Sequence, residues 1–577
     1  MKKITLLLTA FALFVGLANL SAKTIHYVKV NGTGNGTSWD SASGNIQDMI
    51  DNAEPSDEVW VAAGNYVPTK QTINGNELSK TFLLKNGVHL YGGFAGNEAN
   101  IDARAKSDKD GNGKIESWEF TNETTLNGVL DGTTDVWEIL SVNTNLWWRW
   151  RVSGSSNRSN RVVTCMEDVV IETHFDGFTV SGGMDNGIYT LGNTMIQNCN
   201  VCYNIGSSRA FYNKIGTVTD CYIYRNDRAG LENISGTVSN STIDSNSNYS
   251  TMIANAGGGV VNEEGEIINC VITNNCAVIF YTGSNSPVAN QACYGGGIYN
   301  IKGKIDRCFV ANNSVYAYSS ATGGGMMYTL ANGGGIYSQS GVISNSCVVN
   351  NKVTAESARG SNYASPLGGG IGCGAIGTNT FEKAIIYNTT MVNNSRSGSN
   401  NASDYNSGGI EYNCITTPSD IGDIFVLPTS FIGTAATEAQ KAELLQANWR
   451  LKPSPQYIDA GSTDNLPEWV INGTDLAGNP RIHNGRIDVG AYEYNGSGSS
   501  IASPLSDSDL FYIDREGTLY IQNWESNTKV RLFDISGKLL SEVILTSVNE
   551  SIALPQRGLY IIELQSNNRK TAKKIVW

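Results

Sequence analysis

The nine residues VTDCYIYRN (218–226) read as apolar-x-x-small-x-apolar-x-x-Asn, and the same spacing returns in VSNSTIDSN (238–246), IINCVITNN (267–275) and IDRCFVANN (305–313). Further copies begin at Phe175, Ile196, Ile343 and Ile386. Three residues into the copies stand Phe178, Cys199, Cys221, Ser241, Cys270, Cys308, Ser346 and Thr389, and two residues further on Val180, Val201, Ile223, Ile243, Ile272, Val310, Val348 and Met391. The first copy closes on Gly183 and the others on Asn204, Asn226, Asn246, Asn275, Asn313, Asn351 and Asn394. An internal repeat of this regularity decides the architecture.

A second short phrase precedes most copies: Gly187-Ile188-Tyr189, Ala210-Phe211-Tyr212-Asn213, Gly230-Leu231-Glu232-Asn233, Gly297-Ile298-Tyr299-Asn300 and Gly335-Ile336-Tyr337-Ser338. Two short strands per repeat follow from the two phrases. Early copies start 20 to 22 residues apart, one turn of a strand-built coil, whereas paired-helix repeats need about 33 residues or more. Abundant Gly and Asn and the lack of a 3.6-residue apolar stripe also argue against helices. The expected fold is all-β, a right-handed single-stranded parallel β-helix. With rungs about 4.8 Å apart, Cys199, Cys221, Cys270 and Cys308 form an inward ladder with the Ser and Thr at equivalent positions. The closing asparagines tolerate a left-handed backbone and bond their amides to the Asn above and below.

Of 577 residues, 63 are Gly and 16% are charged, which suits a turn-rich solenoid with one further domain. A net charge of −13 and a pI near 4.9 weigh against nucleic acid as a partner. Met1-Lys2-Lys3, the apolar run Ile4–Leu20 and Ser21-Ala22 make a secretory signal over 1–22, cleaved after Ala22 with Ala18 as the alternative. No later segment is apolar over the length of a transmembrane helix. The eleven Cys all lie between Cys165 and Cys414. Parallel inward Cβ vectors suit the disulfide torsion poorly, so mostly free, buried thiols are expected, with Cys199–Cys202 and Cys270–Cys276 left open as pairs.

Residues 23–165 read as an N-terminal cap and first rungs, with Ile46, Met49, Ile50 and Ala53 at helical spacing on a helix that plugs the open coil end. The repeat core spans 166–415, closing rungs and cap 416–495 and a polar linker 496–504. From 505 to 577 the pattern becomes alternating strands split at turns such as Ser536-Gly537 and Arg557-Gly558, a small antiparallel β-sandwich.

The N-terminal phrases, the GGGIYN rungs and the IDAG to DVGAYEY cap resemble right-handed β-helix surface proteins of the pectin-lyase-like superfamily, including those related to polymorphic outer-membrane proteins. The tail, through RLFDISGKLL, GLYIIEL and KTAKKIVW, resembles the type A C-terminal sorting domain of the type IX secretion system. The resemblance implies Sec export, passage across the outer membrane by the type IX machinery, and release or surface attachment. It is weak for activity, because one such fold hosts lyases, hydrolases and adhesins.

DKDGNGKIESWE (108–119) matches the spacing of a calcium loop. Asp108, Asp110 and Asn112 would supply side-chain oxygens, Gly113 the sharp turn, Lys114 its carbonyl, Glu116 a direct or water-bridged contact and Glu119 a bidentate carboxylate, a set suited to Ca²⁺. The bland alternative is an acidic surface loop.

Later repeats lengthen to between 29 and 43 residues, so that 276–294, 314–332, 352–367 and 395–407 project from one edge and carry Tyr281, Tyr294, Tyr316, Tyr318, Tyr328, Tyr363 and Tyr405. These read as adaptable contact loops or as tolerated insertions. Tyr189, Tyr212, Tyr299 and Tyr337 are expected outward on one sheet, as a sugar-stacking face or a packing ladder. Trp147, Trp148 and Trp150, interleaved with Arg149 and Arg151, suit an anionic glycan or cover the core end. Arg209, Arg225, Arg228 and Arg307 form no evident column with acids, and Asp220, Asp244 and Asp306 read as solvated strand residues. His26, His89, His174 and His483 are scattered, which leaves zinc and His-based nucleophilic chemistry unsupported. The GGG runs recur at rung starts and read as strand entries rather than a phosphate loop. The resulting expectation is a secreted, cell-surface, adhesin-like protein binding a glycan or surface protein. A carbohydrate-active enzyme, polysaccharide lyase or glycoside hydrolase, is the alternative, and a passive surface structural protein the second.

Overall fold

In a computed structural model, the described residues are 23–494 except 143–146, 206–208, 252–253, 282–290, 321–327, 358–362, 375–381, 398–403, 407, 417, 419, 436, 454–455 and 484, together with the strands between 511 and 576. The signal segment 1–22, the linker 496–504 and the turns at Ser536-Gly537 and Arg557-Gly558 lie outside them. The chain divides into two compact units at residues 497 and 498.

The first unit is a parallel β-helix. Its three long sheets, of 12, 11 and 11 strands among the described residues, begin at Ile25–Val28, Lys70–Gln71 and Gly64–Tyr66 and end at Ile410–Tyr412, Tyr405–Asn406 and Ile415–Thr416. Each turn of the coil carries three strands, where the phrases suggested two. The nine-residue phrase itself folds as two strands, Thr217–Thr219 and Tyr222–Tyr224 in the copy at Val218, and Leu231–Asn233 supplies the third. A left-handed residue separates the two strands, Asp220 at φ 54° in this copy. Val218, Val238, Ile267, Ile305, Ile343 and Ile386 stack in register and are wholly buried, the burial that drives coil formation.

Both bends of the phrase use that device, and here the asparagine expectation is corrected. The left-handed residues are Tyr203, Arg225, Ser245, Asn274, Asn312, Asn350 and Asn393, each one position before the closing Asn. The closing Asn is thereby free to turn inward. The Nδ2 of Asn204 donates to Oδ1 of Asn226 at 3.1 Å, and the chain continues through Asn246, Asn275, Asn313 and Asn351 to Asn394, which donates to Asp404 at 3.2 Å. A second ladder, Asn213–Asn233–Asn262–Asn300–Ser338, closes the following corner with steps of 2.9 to 3.0 Å. Cys199, Cys221, Cys270 and Cys308 are buried in the inward column, and all eleven cysteines are free thiols.

The long insertions are strands rather than adaptable loops. They build a five-stranded sheet from Ser247–Ser250 to Ser395–Arg396 and a four-stranded sheet from Ala254–Ala256 to Tyr363–Leu367. Ala277, Ile279, Cys293, Val315, Ala317, Ala331, Val353 and Ala355 form a small core of their own in this fin. Its tips fall among residues outside the description.

The helix Ile46–Asn52, capped by the Asn45 side chain, buries Ile46, Met49 and Ile50 against the first rung as expected of a plug. At the other end the last rung blunts itself. Glu411, exposed, aligns with inward Ile386, and Thr416 aligns with inward Met391. A charge at an inward position discourages edge pairing.

Residues 416–494 add no rung: among the described residues no strand after Ile415–Thr416 joins a coil sheet. They fold back along the flank, where Phe425, Trp449 and Leu451 cover Ala311, Cys347, Val349 and Val392 of the third sheet. Inside this flank Arg481 and Glu493 pair at 3.0 Å with both side chains buried. The second unit is antiparallel, with strands Phe511–Ile513, Thr518–Ile521 and Glu550–Ala553 in one sheet and Leu539–Ile544, Lys529–Asp534, Leu559–Gln565 and Lys570–Val576 in the other.

Candidate functional site

The loop 108–119 is tied at its base by an antiparallel bridge between Lys106 and Phe120, with no flanking helices. Carboxylate oxygens of Asp108, Asp110 and Glu119 lie within 4.8 Å of one another. Asp108 accepts from the backbone N–H of Gly111 at 2.7 Å and of Gly113 at 2.9 Å. Glu119, buried, accepts from Lys109 N and Glu116 N at 2.9 Å each. Asn112 donates to Glu116, whose second oxygen is buried without a partner and whose carboxyl is raised by burial and by Glu119 nearby. Lys114 N donates to the Asn112 side chain at 2.8 Å. The donor set consists of hard oxygens and fits a calcium ion.

The tryptophan run is a strand. Trp147–Ser153 pairs antiparallel with Val136–Val142, and the hairpin lies on the side of the coil rather than over its end. Trp150 donates from its backbone N to Ser247 at 2.9 Å and from Nε1 to the Ser245 carbonyl at 2.8 Å. Trp148 packs with Tyr249, Phe280 and Tyr318 on the outer face of the fin. The side chain of Trp147 lies outside the described residues. The hairpin can dock because the repeat length steps here: the corners at Ile205 and Asp227 are short, whereas the next rung opens into the fin at Ser247. Arg149, Trp150, Arg151, Val152, Ile205, Asp227 and Arg228 line an open cleft of about 290 Å³ at that step.

Sequence reading missed Asp227. Burial pushes its carboxyl up to about 7, with Arg228 and Arg149 pulling it down. Arg228 donates to the Tyr249 carbonyl, and Arg149 lies 4.2 Å from the centre of the Tyr249 ring. Asp227 therefore has Arg228 and Arg149 near it, the latter because the hairpin brings it across from another part of the chain.

Next to the cavity, aromatic rings form a belt on the outer face of the third sheet. Trp118 and Tyr222 lie 5.5 Å apart, Tyr222 and Tyr224 4.1 Å, Tyr224 and Tyr203 6.1 Å, Tyr203 and Trp137 5.2 Å, and Trp137 and Trp150 6.4 Å. All six are partly exposed. The belt borders a stretch of sheet at Thr242, Asp244, Val271 and Thr273 that lies between the flank 416–494 and the loop carrying Trp118; Val271 is 39% exposed.

The tyrosine column expected on the second sheet is interrupted. Tyr189 stacks on Tyr212 at 4.8 Å and Tyr299 on Tyr337 at 5.9 Å, but Glu232 and Val261 stand between the two pairs. Arg161 covers Tyr189 at 3.6 Å, and Tyr337 is buried with its hydroxyl donating to the Gly374 carbonyl, so Tyr337 offers no open face. Tyr294 and Tyr316 are buried as well; the Tyr363 side chain is outside the description. Asp306 is not solvated: it is buried and accepts from Ser344 at 2.7 Å and Asn345 at 2.9 Å, while Asp244 accepts from Thr273 at 2.8 Å. Both acids hold down the next rung's bend.

No curated protein matches the sequence. Two solved structures resemble it: pectate lyase Pel9A, 14% identical over 83% of this chain and 98% of that one with a TM-score of 0.41, and the complex of XylC with xylose, 10% identical over 96% and 100% with a TM-score of 0.30. At these identities and TM-scores neither likeness assigns an activity. Among the described residues no helix is long and apolar enough to cross a membrane. Residues 515–577 match the family of secretion system C-terminal sorting domains, so this is a secreted protein, directed to the cell surface or beyond by a type IX sorting tail.

Proposed function

We propose that the mature protein is an adhesin-like surface protein that binds glycan on the face bounded by the aromatic belt and the tryptophan hairpin. The observation that carries this reading is the belt itself. Six partly exposed rings in sequence, Trp118 to Trp150, offer broad apolar faces beside the hydroxyl and carboxyl groups of Thr242, Thr273 and Asp244. Aromatic bodies with polar tips are the side chains that bind a surface at once apolar and hydroxylated. The rigid β-helix fixes their spacing without further ordering cost. Retention of the mature region on immobilised polysaccharides, compared with Tyr222→Ala and Trp137→Ala, tests it. Binding unaffected by both substitutions would refute the assignment of this face.

Calcium binding at 108–119 belongs to the same reading. The loop carries Trp118, so an ion held by Asp108, Asp110, Asn112, Glu116 and Glu119 with the Lys114 carbonyl would stiffen one end of the belt. Isothermal titration with Ca²⁺ on the wild type and Asp108→Ala tests the site.

A second reading, polysaccharide lyase, is favoured by Asp227: a carboxyl that titrates near 7 beside arginines has the makings of a proton acceptor. Formation of unsaturated uronate products from any acidic polysaccharide, lost in Asp227→Asn, would replace the binding reading with this one.

A further inference from the structure

The tryptophan hairpin has one edge in use and one open. Trp147–Ser153 is the strand that lies against the fin, where Trp150 N donates to Ser247. Val136–Val142 is the outer strand: among the described residues it pairs with its hairpin partner and with no other strand, and no other backbone group bonds to it. We infer that this open edge is a dimerisation surface, on which the same strand of a second copy of this chain pairs antiparallel about a two-fold axis at Ile139.

An unguarded edge is unusual in this molecule. In the coil's first sheet, the outer edge of Ile25–Val28 is taken up by the chain at Gly36 and Ser43, and the last strand carries inward Glu411. Val136–Val142 has neither device. It runs for seven residues in unbroken register, without Pro, Gly or Lys, and Val136, Trp137, Ile139, Leu140 and Val142 are apolar or aromatic. Such a segment is a ready template for strand addition. Val136 is 62% and Ile139 58% exposed, so apolar area remains to be buried along this strand. Its one charge, Glu138, is answered by Arg151 at 3.5 Å within the hairpin and leaves the edge without a repelling group.

The strand is complementary to itself, which names the occupant. Ile139 is the middle residue, so antiparallel pairing about it uses the whole strand: Val136 falls opposite Val142, Trp137 opposite Ser141 and Glu138 opposite Leu140. Ile139 then meets its own counterpart, on the face it shares with Trp150. Centring one residue earlier would set the two Glu138 carboxylates directly opposite each other, a destabilising pair, and every other centre leaves part of the strand unpaired. The product is a four-stranded sheet whose outer strands rest on two fins. A two-fold contact closes on itself, so association stops at two copies. Trp150 ends the aromatic belt, so the dimer sets two belts on either side of the axis and makes the face bivalent. The pairing itself does not depend on what the belt binds.

The test is sedimentation equilibrium of the intact mature protein from low to high micromolar concentration at physiological salt, with no polysaccharide present. The mass is expected to rise from one copy to two and to stop there. Ile139→Lys, at an exposed position, should hold the mass at one copy while the thermal melt stays that of the folded protein. A short bismaleimide reports the register. Ile139→Cys should be cross-linked to its counterpart well beyond the wild-type background, whereas Val136→Cys should not, because the two copies of that position lie six residues apart along the strands, about 20 Å. A wild type that stays at one copy throughout would overturn the inference, as would a dimer that Ile139→Lys leaves intact. Equal cross-linking of both cysteine variants would overturn the two-fold pairing at Ile139. None of these outcomes touches the glycan-binding reading, which stands or falls on retention by polysaccharide.

Discussion

The side-chain amide of Asn275 donates to the side-chain carbonyl of Asn313 at 3.0 Å, and the backbone N–H of Asn275 donates to the same oxygen at 3.0 Å. Asn313 in turn donates to the carbonyls of Ile272 and Ala311 and to Asn351. One side chain thus satisfies three rungs at a corner that no sheet partner reaches. Asn313→Leu leaves two buried donors and two carbonyls short of a partner, and a loss of about 2–5 kcal/mol is expected. Urea unfolding of the mature region followed by circular dichroism measures it; a loss under about 1 kcal/mol would mean that water replaces the ladder.

The proposed calcium site at 108–119 makes a thermal prediction. Ca²⁺ at about a hundredfold over its dissociation constant should stabilise the folded form by roughly 2.7 kcal/mol if the unfolded chain does not bind it. Calorimetry with Ca²⁺ and with chelator should show that shift in the wild type and not in Asp108→Ala. Equal melts in all four cases would leave 108–119 as an acidic loop.

Asp227 fixes the sign of a pH effect. Its carboxyl titrates near 3.8 when unfolded and at about 7 when folded, so between those values the folded chain holds more protons and stability falls as pH rises. The groups that face it are Arg149 and Arg151 from the hairpin and Arg228 from its own corner, with Arg209, Glu232 and Glu138 farther out. Asp227→Asn removes the titration. The variant should gain about 1–3 kcal/mol over the wild type at pH 8 and nothing at pH 4. A gain of equal size at both pH values would point to packing instead.

The thiols offer a simple check of the coil interior. Ten of the eleven cysteines are buried, and burial pushes Cys276 up to about 11 and Cys202 and Cys373 to about 12. Thiolate is the reactive form, so a thiol reagent should label the native protein at Cys414 at most, and all positions only in denaturant. Rapid native labelling of several cysteines would contradict the inward ladder.

Glu411 predicts behaviour at the coil end. Replacing it by Ile restores the apolar column begun by Ile386 and removes the inward charge. Glu411→Ile should therefore associate end to end, seen as a rise in mass by light scattering, while the wild type does not.

The repeat phrase alone determined the parallel coil, the inward Cys column and the first Asn ladder, because each depends on stacking identical positions one rung apart, and the helical plug was legible separately from the spacing of Ile46, Met49 and Ile50. The sorting tail was legible for a similar reason, as a contiguous pattern. The third strand per turn was hidden, since a single left-handed residue such as Asp220 divides one phrase into two strands. The left-handed residues were also misplaced by one position, because an Asn that turns inward and an Asn that bends the chain look alike in sequence. Only the tertiary structure brought the residues of the proposed site together. Arg149 and Asp227 stand 78 positions apart in the chain, and Trp118 reaches Tyr222 from a loop outside the repeats. Such contacts arise where an insertion docks across several rungs, and a repeat pattern, which relates each rung only to its neighbours, holds no record of what is laid over its side.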